Sequence, residues 1–132
     1  MKNFKFKIYK NSTGSLLPIS FKKDIPFKVK RTFIINGKKN SRRGNHAHYK
    51  CTQFFVPISG SIDITFENKN GKFKKRLSLN NRDCLLLTPK NWVSIKFITK
   101  DSKLIVYCDR DYEDLDYIFN YDQFLKMIKK NK

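Results

Sequence analysis

A two-residue alternation of apolar and polar side chains runs through most of this chain, and it commits the fold to β-strands, whose successive side chains point to opposite faces. Phe4, Phe6 and Ile8 alternate with Lys5, Lys7 and Tyr9, and Phe27, Val29 and Arg31 alternate with Lys28, Lys30 and Thr32 before Phe33-Ile34-Ile35. Thr52 to Ile58 is aromatic and β-branched. Ser61 to Phe66 alternates strictly, and Asn68-Lys69-Asn70-Gly71 supplies hairpin chemistry before the run from Phe73 to Leu79. Cys84 to Leu87, Val93 to Ile98 and Lys103 to Cys108 complete the set. Short strands broken at regular intervals by turn residues predict an all-β sandwich or barrel. Helical spacing is confined to the end, where Tyr121, Phe124, Leu125 and Ile128 share one face, and the acids of Asp111-Tyr112-Glu113-Asp114 suit a helix N-terminus.

The chain has 132 residues, the length of a single domain over 1–132 with room for one core. No apolar run approaches the ~20 residues that span a bilayer. The segment Met1 to Lys7 alternates Lys with aromatics, which predicts a strand rather than a signal peptide and hence a cytoplasmic protein. Cys51, Cys84 and Cys108 are too few and too far apart for a disulfide framework, so buried, reduced thiols are expected. With 29 Lys plus Arg against 11 Asp plus Glu, the net charge of +18 favours anionic ligands. A basic β-barrel module that binds nucleic acid is therefore one alternative reading, although the Phe residues alternate as core residues do and leave no exposed stacking face. Six of the eleven acids fall between Asp109 and Asp122, a local negative patch at the C-terminal end.

Both histidines lie in Arg42-Arg43-Gly44-Asn45-His46-Ala47-His48. At i, i+2 on a strand their imidazoles project from one face. Imidazole titrates near neutrality, so the pair suits proton transfer or metal ligation. The polar, basic segment from Gly37 to Arg43 runs directly into it, placed to hold a phosphate beside the pair.

His46-x-His48, followed by Gln53 and then Gly60, is laid out like the first motif of the cupin barrels. Metal-binding cupins carry a glutamate where this chain has Gln53, and a third histidine in the region that here reads Pro89-Lys90-Asn91-Trp92-Val93-Ser94. An amide is a poor replacement for a carboxylate ligand, and two histidines do not complete a three-ligand site. The expectation is a cupin that does acid–base chemistry with no metal and no cofactor. A metal-dependent cupin enzyme is the competing reading.

Nearly the whole chain resembles the nucleoside-diphosphate-sugar 3,4-ketoisomerases that act on dTDP-4-keto-6-deoxy-D-glucose. The resemblance runs through Gly14-Ser15-Leu16 and Ile25 to Arg31 and is sharpest at Arg43-Gly44-Asn45-His46-Ala47-His48, where that family has R-G-x-H-A-H. Lys50, Gln53 and Ser59-Gly60-Ser61 follow in register. Trp92 sits in the loop after the proline, and Asp111 to Ile118 matches an acidic-tyrosine tail, Y-Y-D-E-x-D-Y-I. The resemblance implies a metal-independent jelly-roll cupin with a short C-terminal helix, forming a homodimer by exchange of N-terminal strands. It implies that the carbonyl moves from C4 to C3, for 3-amino-3,6-dideoxy sugars of surface glycans. His46 and His48 would be catalytic; Arg43, Arg31, Gln53, Lys50 and Trp92 would bind substrate. The chain departs from the family at Thr13, where an arginine is usual, and at Ile34-Ile35-Asn36, where a tyrosine facing the sugar or base is missing. It departs again at Val93, where many members have histidine.

Overall fold

The alternating segments pair into antiparallel ladders in a computed structural model that describes residues 4–130. In chain order these are β1 (Phe4–Lys5), β2 (Tyr9–Asn11), β3 (Gly14–Leu16), a one-turn helix α1 (Phe21–Asp24), β4 (Arg31–Asn36), β5 (Arg42–His48) and β6 (Gln53–Ser59). There follow β7 (Ser61–Asn68), β8 (Gly71–Ser78), β9 (Asp83–Leu87), β10 (Trp92–Phe97), β11 (Lys103–Cys108), β12 (Tyr117–Ile118) and helix α2 (Tyr121–Lys130). One five-stranded sheet has the order β1-β9-β6-β11-β4, the other β12-β5-β10-β7-β8, and β2 and β3 form a separate hairpin.

The core lies between the two sheets. Phe55, Leu85, Leu104 and Val106 of the first meet Ile62, Ile64, Val93, Ile95 and Phe97 of the second. Burial of each such side chain contributes about 1.5–3 kcal/mol. The first sheet is also covered outside. Phe54, Val56, Cys84 and Tyr107 turn away from the core and pack under Phe6 and Ile25 of the N-terminal segment. Two-sided burial explains why Phe54-Phe55-Val56 and Cys84 to Leu87 read as continuous apolar runs. Helix α2 covers the outer face of the second sheet, setting Phe124 on Ala47 and Ile118.

The all-β jelly roll with a C-terminal helix matches the expectation; several boundaries do not. The strand expected from Phe27 begins at Arg31, because Phe27 and Val29 serve the outer cluster instead of a ladder. Arg42 and Arg43 belong to β5 rather than to the preceding basic loop, since Ile95 and Lys96 pair with them. Of the N-terminal strand, Phe4 and Lys5 pair with β9, and Met1 to Asn3 lie outside the described residues. The acids at Asp111 to Asp114 do not start a helix. They lead into a 3-10 turn (Asp114–Asp116) and β12, where the backbone of Tyr117 and Ile118 is taken up by the ladder to His48 and Ala47. Helix α2 starts after Asn120, whose side-chain oxygen accepts the Gln123 N–H at 2.8 Å. The short helix α1 carries no helical signal in the sequence.

Candidate active site

The strand that carries both histidines has a bulge in it, and the bulge decides which side chains share a face. Val93 of β10 pairs with His46, but its neighbour Ser94 pairs with Gly44, so Asn45 is the extra residue. Gly44 and Asn45 both take positive φ, +95° and +61°. A one-residue insertion inverts the parity of everything on one side of it. Without it Arg43 would point away from the histidines; with it Arg43, His46 and the core-facing Val93 and Ile95 line one cavity. Gly44 cannot be replaced freely, because a Cβ there would sit 2.8 Å from the Val93 carbonyl oxygen. Gly44→Ala should therefore cost about 1–3 kcal/mol, read as a lowered unfolding midpoint. It should also lower kcat/KM by roughly tenfold or more, through the displaced His46.

The cavity, about 280 Å³, opens between the sheets and is lined by Phe33, Ile35, Arg43, His46, Gln53 and Tyr117, with Phe55, Val93 and Ile95 below. The His46 and His48 rings meet edge to face, with centroids 5.2 Å apart. β12 adds to the edge of β5 with Tyr117 opposite His48, which brings the phenol ring 4.3 Å from the His48 ring and 5.2 Å from that of His46. Phe119, largely exposed, stacks on Tyr117 with ring centroids 5.3 Å apart.

Asp116 anchors the arrangement. Its buried carboxylate accepts the Nδ1–H of His48 at 2.9 Å, the Lys50 N–H at 2.7 Å and the Cys51 N–H at 3.2 Å. A carboxylate on Nδ1 fixes the neutral tautomer whose Nε2 carries the lone pair. Ligand atoms of His48, Cys51 and Asp116 also lie within 4.8 Å of one another, the one group of this kind among the described residues. There the carboxylate accepts from two backbone N–H groups and faces His48 Nδ1.

Three buried side-chain nitrogens lack a hydrogen-bond partner among the described residues: His46 Nδ1, His48 Nε2 and Arg31 Nε. Each such group costs about 1–3 kcal/mol, and all three gather at this one place. Burial, aided by the neighbouring His48, lowers the pKa of His46 to about 4. Burial also lowers that of His48, against the opposing pull of Asp116. Both imidazoles are thus neutral at physiological pH. Arg31 sits behind the cavity. Burial opposes its charge, yet its contacts with Cys108 and Tyr117 raise its pKa. It donates to the Cys108 sulfur at 3.5 Å, as Gln53 does at 3.7 Å, and lies 5.5 Å from the Tyr112 ring centre.

Of the residues singled out in the sequence, His46, Arg43 and Gln53 line the cavity, and His48 and Arg31 stand directly behind it. Lys50 and Trp92 do not join them. The Lys50 side chain is exposed, and Trp92 lies on the opposite face of β10 against Tyr121 and Phe124 of α2. The sequence places Asp116 and Tyr117 in the acidic-tyrosine tail and assigns neither of them to the site. The signal available was the Asp-Tyr-Ile of the acidic tail, which gains meaning only through its register with β5.

Two facing antiparallel sheets around a cavity with paired imidazoles define a cupin-type barrel. The chain belongs to the family described as "FdtA: WxcM-like, C-terminal", whose model matches residues 1–129. It is 33% identical over 127 residues to the TDP-4-oxo-6-deoxy-alpha-D-glucose-3,4-oxoisomerase of Aneurinibacillus thermoaerophilus, covering 95% of this chain and 90% of that protein. The crystal structure of the sugar 3,4-ketoisomerase QdtA from Thermoanaerobacterium thermosaccharolyticum, in complex with TDP, superimposes with a TM-score of 0.88. The identity is 31%, over 98% of this chain and 95% of that one. The TDP-fucose-3,4-ketoisomerase WlaRA of Campylobacter jejuni gives 0.83 at 26% identity, over 96% and 94%.

Proposed function

We propose that this protein is a nucleotide-sugar 3,4-ketoisomerase that moves the keto group of dTDP-4-keto-6-deoxy-D-glucose from C4 to C3. The observation that carries the reading is a pair of imidazoles, His46 in the cavity wall beside Arg43 and His48 directly behind it, each with a buried nitrogen that lacks a partner among the described residues, in a chain whose relatives are 3,4-ketoisomerases. Those relatives favour this over a nucleic-acid-binding module. Moving a ketone to the adjacent carbon needs a base for the acidic C–H beside the carbonyl, then return of a proton one carbon along. His46, neutral and facing the cavity, takes the C3 proton and delivers it to C4. Its low pKa in the free protein is offset when negative charge develops on the enediolate beside it. His48, its tautomer fixed by Asp116, relays the hydroxyl proton through Nε2. Arg43 holds the pyrophosphate as a fixed-charge fork and Gln53 bonds a sugar hydroxyl.

The functional unit in this reading is a single domain that pairs with a second copy by exchanging its N-terminal strands. Tyr9, Leu16 and Phe21 of the N-terminal segment and Ile34 of edge strand β4 are large apolar side chains left exposed, which supports a partner at that face. Three buried free cysteines suit the reducing cytoplasm, and among the described residues no helix is long and apolar enough to cross a membrane. The 3-keto product would feed an aminotransferase on the way to 3-amino-3,6-dideoxy sugars of surface glycans. NMR of dTDP-4-keto-6-deoxy-D-glucose incubated with the protein tests the reaction. The 4-keto signals should give way to those of a 3-keto sugar, whose C4 configuration, galacto or gluco, is read from the same spectrum. Unchanged substrate with folded protein would refute it.

A further inference from the structure

The cavity must handle four proton movements, two at carbon and two at oxygen, and its lining offers few groups able to make them. Of the residues that line it, Arg43 cannot give up its proton and Gln53 does not titrate. Phe33, Ile35, Phe55, Val93 and Ile95 carry no polar side-chain atom. His46 and Tyr117 remain, with His48 behind. Tyr117 carries the one hydroxyl in the lining. Its ring contacts both imidazoles, and its phenol is close enough to the Arg31 guanidinium for the two to interact as charges. β12 holds it there by pairing with β5, and Phe119 stacks on its outer face, so the ring is fixed in place.

We infer that Tyr117 is a catalytic residue, the acid that protonates the C4 oxygen as the enediol forms; the assignment rests on the isomerase reading above. The protons then balance. His46 removes the C3 proton, the C–H electron pair becomes the C3=C4 bond, and the carbonyl pair moves onto O4, which takes the phenolic proton. The Tyr117 phenolate is held by Arg31. In the second half the O3 proton passes to His48 Nε2, a carbonyl forms at C3, and the C3=C4 pair takes the proton from His46 at C4. The His48 imidazolium gives up its proton, and the phenolate takes one up, through water that enters as the product leaves. Every side chain ends as it began, and no co-reactant is needed. The same scheme explains why Asp116 and Arg31 lie where they do. One stabilises the imidazolium of His48 and the other the phenolate, the two ions that coexist before the last transfer.

Tyr117→Phe removes one oxygen and leaves the ring packing in place. With dTDP-4-keto-6-deoxy-D-glucose, kcat should fall by roughly 10²–10⁴ while KM changes by no more than about threefold. Circular dichroism and the unfolding midpoint should match the wild type. Site-specific replacement of Tyr117 by a fluorotyrosine of lower phenol pKa provides a second readout. The alkaline limb of the kcat profile should move to lower pH by the same interval, because the acid must enter each cycle protonated. A Tyr117→Phe protein that turns over within about threefold of wild type would overturn the assignment and leave the isomerase reading standing. An alkaline limb unmoved by fluorination would do the same. Absence of turnover in the wild type would overturn both.

Discussion

His46→Asn should lower kcat for dTDP-4-keto-6-deoxy-D-glucose by about 10³-fold or more, while TDP binding stays within a few-fold of wild type. Asparagine keeps a polar group of similar reach at the cavity wall but cannot accept and return a proton. Isothermal titration with TDP, set beside an NMR turnover assay, separates the two effects; near-normal turnover would remove His46 from the mechanism. The same residue predicts a pH dependence. With its pKa at about 4, His46 is already an unprotonated base at pH 5, so kcat/KM should hold as pH falls to 6.5, and His46 itself should limit it only near 4, with any earlier fall due to His48. Stability runs the other way from an exposed histidine gaining a partner. The unfolded chain binds a proton near pH 6.5 that the folded chain refuses until about 4, so the contribution is intact above 6.5 and lost as pH falls through that window. The loss is about 1.4 kcal/mol per pH unit for each such histidine, and His48 is shifted in the same direction. His46→Asn should flatten that slope. Denaturant midpoints at pH 7 and pH 5 measure it.

How much of this was readable beforehand depended on how local the determinant is. Ser61 to Phe66 and the Asn68–Gly71 turn are specified by neighbours in the chain, and the ladder of β7 on β8 follows the alternation, Asn68 opposite Gly71. The site is not local. Its two histidines were legible because two imidazoles on one strand are unusual, but the face they share with Arg43 was not. Simple alternation puts Arg43 on the wrong side, and only the unequal pairing of Gly44 and His46 with Ser94 and Val93 corrects it. Trp92 is the converse case. Its position after Pro89 suggested a place at the site, but its neighbour Val93 faces the core, so the indole must point outward to α2. Asp116 and Tyr117 are separated by nearly seventy residues from the histidines they serve, and their pairing is decided by an edge strand of two residues. No periodicity can announce a strand that short.

The departures from the family pattern gain a physical meaning from the same geometry. Arg31, Phe33 and Ile35 alternate toward the cavity side while Thr32, Ile34 and Asn36 face outward on edge strand β4. Of the changed run Ile34-Ile35-Asn36, therefore, only Ile35 touches the cavity, and it presents no hydroxyl there. A phenol on β12 reaches the space from the opposite sheet, so the chain retains an oxygen acid without one on β4. Val93 likewise faces the cavity from β10, where an imidazole would add a third titratable ring. Its apolar side chain instead maintains the desolvation that keeps His46 neutral.

Asp116→Asn is expected to be as damaging as the loss of a histidine, although Asp116 lines no part of the cavity. The amide oxygen in the Oδ1 place can still accept from the Lys50 N–H, while the Cys51 N–H, which shared Oδ2 with His48, faces the NH₂ and loses its acceptor, a cost of about 1–3 kcal/mol that the turn before β12 should survive. What changes is the partner offered to His48. An NH₂ group facing Nδ1 demands a lone pair there, which moves the ring proton to Nε2 and leaves nothing on the cavity side to accept the O3 proton. Loss of the carboxylate also removes the counter-charge for the imidazolium. In hydrolytic triads the corresponding exchange costs about 10⁴ in kcat with the geometry intact, and a loss of roughly 10²–10⁴ is expected here. Asp116→Ala should behave differently, because three donors then lose their acceptor, the two buried ones at about 1–3 kcal/mol each, and the fold itself is at stake. ¹⁵N-resolved imidazole spectra distinguish the tautomers directly. In the wild type the protonated nitrogen of His48 should be Nδ1, and in Asp116→Asn it should be Nε2. A variant that retains both the Nδ1–H tautomer and full turnover would show that Asp116 holds the turn and nothing more.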